Sequence, residues 1–332
     1  MKKGFTFGKY LPFHNGHKAL IDFATKHCDE LFVIVSKSDQ EKLNCTTRAN
    51  WISKTYSKEP RVKVIEFNYL ESELPNTSVS SAEVSQVWAD QFKLIVPEVD
   101  ILFTSEPYGD LVADFMGIEH QSFDQDRSLN RISATQIRNG LYDHWTFLPD
   151  AVKQHFQKKV AVLGTESTGK STMASFIIEH YPATLVEEVG RDIIENSNHF
   201  SQEHLIKIAH AHVENIKVAV AKLAPLVVMD TDIHITQSYA KFSFGKYMKL
   251  DESLYAINAA NCYLYLNNDV PFVQDGTRLS EHERNALDAS HRNTMTQFDI
   301  QLEEINGSYA ERERKVMVII DQLMQSAQQE LR

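Results

Sequence analysis

The chain has 332 residues, of which 42% are hydrophobic and 24% charged, and a formal net charge of −11. That is a soluble globular composition with material for about two domains, and no apolar run approaches the ~18 residues of a membrane-spanning helix. The acidic balance argues against a nucleic-acid-binding protein, which would show a basic face, so anionic substrates must be held by local clusters of donors.

The N-terminus, Met1–Gly8, is basic but has neither an apolar core nor a cleavage site, so it reads as a strand and not as a signal peptide. Cys28, Cys45 and Cys262 are widely spaced and form no C-x-x-C pair, which points to reduced thiols and a cytoplasmic protein. His204, His210 and His212 make no H-E-x-x-H pattern and read as surface or packing residues.

Over the first half, apolar runs alternate with helix-period segments, the pattern of a parallel sheet with crossover helices. Strands are expected at Lys3–Gly8, Leu31–Ser36, Arg61–Phe67, Val99–Thr104 and Ile118–Phe123, with helices at Lys18–Cys28, Arg48–Tyr56 and Ala82–Ile95. Ser80 and Ser81 offer N-cap chemistry to the last helix. In such a fold ligands bind beyond the carboxyl ends of the strands.

Directly after the first strand comes Gly8-Lys9-Tyr10-Leu11-Pro12-Phe13-His14-Asn15-Gly16-His17. Two histidines three apart at a helix entrance, with Gly16 leaving room for a phosphate, make an anion site suited to a triphosphate. The bland alternative is a His-rich turn whose rings cap or pack. Near the end of this half, Ser133 and Thr135 read as N-cap hydroxyls, and Arg138 lies one turn later on the same helix end, a second candidate phosphate clamp.

A boundary is expected around Leu141–Lys159, with residues 1–148 as the first domain, 149–158 as a linker that becomes a short helix, and 159–332 as the second domain. In the second half strands are expected at Lys159–Leu163, Thr184–Glu188, Leu226–Asp230, Cys262–Leu266 and Val316–Ile320. Helices are expected at Lys170–His180, Gln202–Leu223, Ile233–Gly245 and Leu287–Ile305.

The most specific stretch is Val160-Ala-Val-Leu-Gly164-Thr165-Glu-Ser-Thr168-Gly169-Lys170-Ser171-Thr172. A strand, then G-x-x-x-x-G-K-S, then a helix is the phosphate-binding loop in its confirming context. Gly164 and Gly169 let the backbone curl so that its N–H groups, with those of Thr165, Thr168 and Thr172, surround phosphates. Lys170 supplies a charge for the β- and γ-phosphates, and Ser171 a hydroxyl for Mg²⁺. The apolar run Leu226–Met229 ends in Asp230, which suits the acidic residue that steadies Mg²⁺ opposite the loop.

The combination G-x-Y-x-P-x-H-x-G-H at Gly8–His17 and I-S-x-T-x-x-R at Ile132–Arg138 resembles the nucleotidylyltransferase superfamily, and within it nicotinamide mononucleotide (NMN) adenylyltransferase. Thr47-Arg48-Ala49-Asn50-Trp51 and Ser105-Glu106-Pro107-Tyr108-Gly109 add to the likeness. Followed by a Gly-x4-Gly-Lys-Ser kinase segment, the whole order of motifs is similar to the bifunctional NadR-type family, which joins that adenylyltransferase to ribosylnicotinamide kinase.

The resemblance implies an α/β protein of two parallel-sheet domains, a Rossmann-like nucleotidylyltransferase and a P-loop kinase. It implies ATP and Mg²⁺ as co-substrate and cofactor, with NMN and nicotinamide riboside as small-molecule substrates. Lys9, His14, His17 and Arg138 would neutralise charge in the first site, where Lys9 replaces a frequent Arg, and Gly8, Gly16, Ser133 and Thr135 would line ATP. Trp88 and Trp51 are candidates to stack on the nicotinamide ring, the alternative being core positions on amphipathic helices. In the second domain the Glu-x-x-Arg string maps onto Glu188, as proton acceptor, and Arg191. Asp275 and Arg278, with Arg284, resemble a lid over ATP. The family's enteric members carry a DNA-binding segment ahead of the first strand; this sequence starts at that strand, which argues against a repressor role. No nucleic-acid or membrane partner is expected, and a homo-oligomer is left open.

Three other readings use the same motifs. One is a fusion of pantetheine-phosphate adenylyltransferase with dephospho-coenzyme A kinase, another a chain with one live and one degenerate domain. The third is a non-catalytic sensor that binds nucleotide and a partner protein.

Overall fold

The computed structural model describes residues 1–76, 81–126, 128–129, 131–193, 200–270 and 280–332. It divides into two compact units, one comprising Met1–His155 with Ser326–Arg332 and the other Phe156–Gln325.

The first unit runs β1 (Lys3–Gly8), α1 (Asn15–Ala24), β2 (Glu30–Ser38), α2 (Cys45–Thr55), β3 (Val62–Tyr69), α3 (Ala82–Ile95), β4 (Ile101–Thr104), α4 (Tyr108–Met116), β5 (Glu119–Ser122) and α5 (Ala134–Asn139). A 3-10 turn at Trp145–Phe147 then leads into α6 (Asp150–Phe156). The strands form a five-stranded sheet in the order β3-β2-β1-β4-β5, all neighbours parallel. Phe5, Ile34 and Leu102 of the central strands pack against Ala89 and Phe92 of α3 and Val112 and Ala113 of α4. The chain moves outward from β1 to β3 and then returns to β1's other side at β4. Beyond the carboxyl ends of β1 and β4 lies the switch point at which parallel sheets bind ligands.

The second unit runs β6 (Lys158–Leu163), α7 (Lys170–His180), β7 (Ala183–Val186), α8 (Gly190–Ile193), α9 (Gln202–Ala221), β8 (Leu226–Asp230), α10 (Ile233–Phe244), α11 (Glu252–Asn258), β9 (Cys262–Leu266), α12 (Glu281–Gln297), β10 (Glu303–Ile305) and α13 (Tyr309–Gln329). Its five-stranded sheet has the order β10-β9-β6-β8-β7 and is again parallel throughout. Val160, Val162 and Val228 face a core with Met173, Ala174 and Ile177 of α7, while Ala161, Leu163, Val227 and Met229 face another with Ile216 and Ala219 of α9. Both faces are covered, so the strands read as continuous apolar runs.

Two sequence expectations fail here. Val316–Ile320 is not a strand but part of α13, where Val316 and Ile320 are both fully buried one helical turn apart. A short apolar run does not distinguish a strand from the buried stripe of a helix. The fifth strand is instead β10, three residues within the segment expected to continue the helix at Leu287–Ile305. The segment 149–158 is mostly α6, and the second unit ends at Gln325 rather than at 332. Helices α4 and α11 were not anticipated.

The cysteines form no disulfide; Cys28 and Cys45 are buried. No helix among the described residues is long and apolar enough to cross a membrane.

Candidate functional sites

In the first unit the turn after β1 is built around two stacked imidazoles. His14 is the N-cap of α1, and its Nδ1 accepts from the Gly16 N–H at 3.1 Å. His17 Nδ1 accepts in return from the His14 N–H at 3.4 Å, and the two rings lie 3.8 Å apart and 25° from parallel. Tyr10 packs edge-on against His17 with centroids 4.9 Å apart. A neutral imidazole that accepts at Nδ1 carries its proton on Nε2. The capping geometry therefore sets both rings as Nε2–H donors beside a helix N-terminus, the arrangement an anion needs.

Arg138 closes the site from the far end of the unit. Its Nη1 donates to Leu11 O at 2.7 Å and its Nη2 to Thr135 Oγ1 at 2.8 Å. Burial pulls its pKa down while Glu41 pulls it back up; a guanidinium stays charged either way. Ser133 caps α5 by accepting from Gln136 N, with Gln136 reciprocating. The structure thus brings the His14–His17 turn and the Ser133–Arg138 segment together.

Lys9 is tied to Glu41, Nζ to Oε1 at 2.8 Å, and the other carboxylate oxygen of Glu41 accepts from Arg48 Nη1 at 2.5 Å. Arg48 is fully buried and also donates to Lys9 O at 3.1 Å and Leu43 O at 2.6 Å. The sequence signal for this buried pairing is an Arg on the apolar face of α2.

Gly8 and Lys9 also line a cavity of about 170 Å³ with Phe7, Tyr69, Trp88 and Tyr108. Trp88 is half-buried there, its Nε1 donating to Pro75 O at 3.1 Å. Trp51 does not line this cavity. It is 3% exposed and packs edge-on against His155 at 5.3 Å, so it has no open face to offer a ring.

In the second unit β6 ends in the phosphate loop. Gly164 has φ 141°, and a Cβ there would lie 2.6 Å from Leu266 O; Gly169, the N-cap of α7, has φ 90°. Glycine alone adopts both without strain. Thr165 and Thr168 are buried, Thr168 Oγ1 donating to Thr165 O at 2.8 Å, whereas Thr172 is exposed on α7. Lys170 Nζ donates to the same Thr165 carbonyl at 3.1 Å, and Ser171 Oγ donates to Asp230 Oδ2 at 2.6 Å. A hydroxyl beside a single carboxylate is a hard-oxygen set of the kind Mg²⁺ takes when phosphates and water supply its other ligands. Among the described residues no three His, Cys, Asp or Glu side chains converge as a metal site.

Glu188 follows β7, two strands from β6 and next to Asp230's strand. The Arg191 side chain, Asp275 and Arg278 lie outside the described residues. Arg284 is 3% exposed and donates to Asn268 O at 3.4 Å from the first turn of α12.

Several further polar groups of this unit are buried, among them Asp232 and two helix-borne histidines. Thr231 holds φ 82°, a costly value for a β-branched residue. Asp232 is fully buried and caps α10, accepting from the His234 and Ile235 N–H groups, both at 3.0 Å, and pairing with His234 Nδ1 at 2.6 Å. Burial would raise Asp232, but the bond to His234 and its charge outweigh it and hold the carboxyl below its usual range. His212 is buried and pushed down by burial, against the pull of Asp232 and Glu188. His291 is fully buried with Nδ1 2.8 Å from Ser238 Oγ, and burial, reinforced by the charge of Lys170, pushes it down to about 3.

Two parallel α/β units, one with paired imidazoles and an arginine at its switch point and one with a phosphate loop, define a nucleotidylyltransferase-type domain joined to a P-loop phosphotransferase-type domain. Residues 5–140 match the cytidylyltransferase-like family and residues 159–312 the AAA domain family. The chain is 28% identical over 299 residues to the trifunctional NAD biosynthesis/regulator proteins NadR of Salmonella typhimurium and Escherichia coli, spanning 83% of this chain and 71% of each relative. It is also 28% identical over 109 residues to the nicotinamide-nucleotide adenylyltransferase of Methanocorpusculum labreanum, 32% of this chain and 60% of that protein. The same fold occurs in the crystal structure of a NadR protein in complex with NR, with TM-score 0.64 and 20% identity over 97% of this chain and 96% of that one. A second NadR structure, in complex with NAD and AMP-PNP, gives TM-score 0.64 and 21% identity over 98% and 96%. The chain is thus similar to NadR proteins over most of its length, in sequence and in fold.

Proposed function

We propose that this chain is a bifunctional NAD salvage enzyme. Its second unit phosphorylates nicotinamide riboside with ATP, and its first unit transfers AMP from ATP to the resulting NMN, giving NAD and pyrophosphate. The reading is carried by the 2.7 Å bond from Arg138 to Leu11 O, which draws both ends of the first unit onto one anion site in a chain that also holds an intact phosphate loop.

In the first unit a phosphate oxygen of NMN attacks the α-phosphorus of ATP, a new P–O bond forms, and the α–β bridge breaks to release pyrophosphate. The nucleophile is already ionised, so no general base is required. His14, His17, Lys9 and Arg138 align the reactants and neutralise charge on the transferring group and the leaving pyrophosphate. Lys9 leaves Glu41 or shares it when the polyphosphate arrives. The cavity beside Trp88 takes the pyridine ring.

In the second unit the 5′-hydroxyl attacks the γ-phosphorus, Glu188 takes the hydroxyl proton, and ADP leaves. Thr165, Thr168 and Gly169 hold the phosphates through backbone N–H groups, and Lys170 moves from the Thr165 carbonyl to the β- and γ-oxygens. Ser171 and Asp230 would hold Mg²⁺, which would supply charge neutralisation for the phosphates. Arg191, Asp275, Arg278 and Arg284 are assigned to acceptor and lid by resemblance alone.

The deciding experiment supplies the protein with ATP, Mg²⁺ and nicotinamide riboside and looks for NMN and NAD by mass. Formation of neither, with turnover of pantetheine or phosphopantetheine, would move the assignment to the coenzyme A branch. ATP bound at both sites without turnover of any acceptor would indicate a sensor.

A further inference from the structure

We propose that Arg312 is a positioning residue for ATP in the second unit, acting by fixing the Thr168–Gly169 peptide of the phosphate loop. The proposal rests on the second unit being a kinase and adds a residue that no motif in the loop contains.

Arg312 lies in the first turn of α13, whose start is held by Ser308 and Glu311: the Ser308 N–H and Oγ donate to Glu311 Oε2 at 2.8 and 2.6 Å. Its side chain is 2% exposed, and its guanidinium is divided among three segments that are distant in sequence. Nη1 donates to Thr168 O at 2.9 Å, Nη2 to Asn267 O at 2.9 Å, and Nε to Gly307 O at 3.0 Å. Nη2 also pairs with Asp269, whose other oxygen accepts from the Gly307 N–H at 2.7 Å. The rigid fork of donors thus ties the loop after β6 to the chain just beyond β9 and just beyond β10.

The consequence for the loop follows from peptide geometry. A trans peptide is planar, with its C=O and N–H on opposite edges. Holding Thr168 O on Arg312 therefore turns the Gly169 N–H to the side away from Arg312. Gly169 is the N-cap of α7 and has φ 90°, a conformation in which the glycine peptide is otherwise free to rotate. The Thr168 side chain is independently pinned to Thr165 O, so Arg312 adds a backbone restraint at a residue whose side chain is already held. A lysine could supply the charge but not the fork, and would leave some of the three carbonyls without a donor. Because Arg312 touches loop backbone and not the acceptor's strand ends, it should act on ATP and not on the riboside.

The test compares the full chain with Arg312→Ala and Arg312→Lys, measuring riboside phosphorylation against both ATP and riboside and adenylyl transfer in parallel. Arg312→Ala is expected to lower kcat/KM for ATP by ~100-fold or more, the scale seen on removing one preorganised donor, and Arg312→Lys by a smaller factor. The riboside KM should stay within about twofold, adenylyl transfer should be unchanged, and added guanidinium should restore part of the Arg312→Ala rate. If Arg312→Ala unfolds the second unit, seen as loss of its thermal transition, Arg312→Lys carries the comparison. Wild-type kcat/KM for ATP in Arg312→Lys and in folded Arg312→Ala would overturn the proposal, as would a riboside KM rising in step with that for ATP. Equilibrium ATP binding, measured in a His17→Ala background that weakens the first site, decides the point even if the acceptor is not the riboside. A drop of ~10-fold or more on changing Arg312 supports the role, and an unchanged affinity rejects it. A wild-type chain that binds ATP there but phosphorylates no riboside would sink the proposed acceptor while leaving this comparison standing.

Discussion

Arg138 reaches back across 127 positions to donate to the carbonyl of Leu11, 2.7 Å away, three residues before the His14 ring. The bond holds two motifs from opposite ends of the first unit against one turn. Removing the guanidinium releases the Leu11 carbonyl and Thr135 Oγ1 and, on the proposed mechanism, deletes a phosphate contact. Arg138→Ala and His17→Ala are each expected to reduce NAD formation from NMN by ~100-fold or more and to leave riboside phosphorylation near wild type. Lys170→Ala should do the reverse. Loss of both activities from any one of these changes in a folded chain would contradict two independent sites.

Asp230 Oδ2 and Ser171 Oγ lie 2.6 Å apart at the mouth of the phosphate loop. Asp230→Asn keeps the shape and a hydrogen bond but removes the charge that would hold Mg²⁺. It should lower the kinase rate by ~100-fold at low Mg²⁺, with part of the loss recovered as Mg²⁺ is raised. A loss that no concentration of Mg²⁺ relieves would remove Asp230 from the metal site.

The parts of this molecule that were readable from sequence are those whose chemistry is contiguous. The phosphate loop needs only neighbouring residues with the right backbone freedom, and the strand Leu226–Asp230 announces itself as an apolar run ending in an acid. Pairings across the chain were readable only where a family resemblance supplied them, as for the His14–His17 and Ser133–Arg138 segments. Nothing in Glu41 or Arg48 alone indicates that one carboxylate bridges Arg48 and Lys9, nor does Arg312 in a charged helix start look like a residue 1% exposed. The run Val316–Ile320 was misread because burial on a helix and in a strand looks the same over five residues. The two tryptophans show the same limit: both lie on amphipathic helices, and only packing separates them.

That separation can be measured. Trp88 lines the cavity beside Gly8 and Lys9, so Trp88→Ala is expected to raise the KM for NMN by ~10-fold, the scale of one lost stacking contact, with a modest effect on stability. Trp51 is enclosed, so Trp51→Ala should cost about 3–5 kcal/mol of stability and leave the KM of the remaining folded protein unchanged. A reversed pattern would place the pyridine ring on α2.

His291 gives the second unit a defined pH response. It is fully buried, and burial, with the nearby charges of Lys170 and Arg292 outweighing that of Asp232, takes it from an ordinary 6.5 down to about 3. The folded state therefore keeps this ring neutral where the unfolded chain would already be protonated. Above about pH 6.5 both states are neutral and the ring adds no pH dependence. As the pH falls from there towards 3 the unfolded state binds the extra proton and stability is lost. His291→Asn, which places an amide N–H near Ser238 Oγ, removes this term but not the contribution of the carboxylates. The stability of wild type relative to His291→Asn, read from urea midpoints of the second unit at pH 7.5 and pH 5, should therefore shift in favour of the variant as pH falls. A difference that stays constant across that interval would mean that the ring takes up its proton without unfolding.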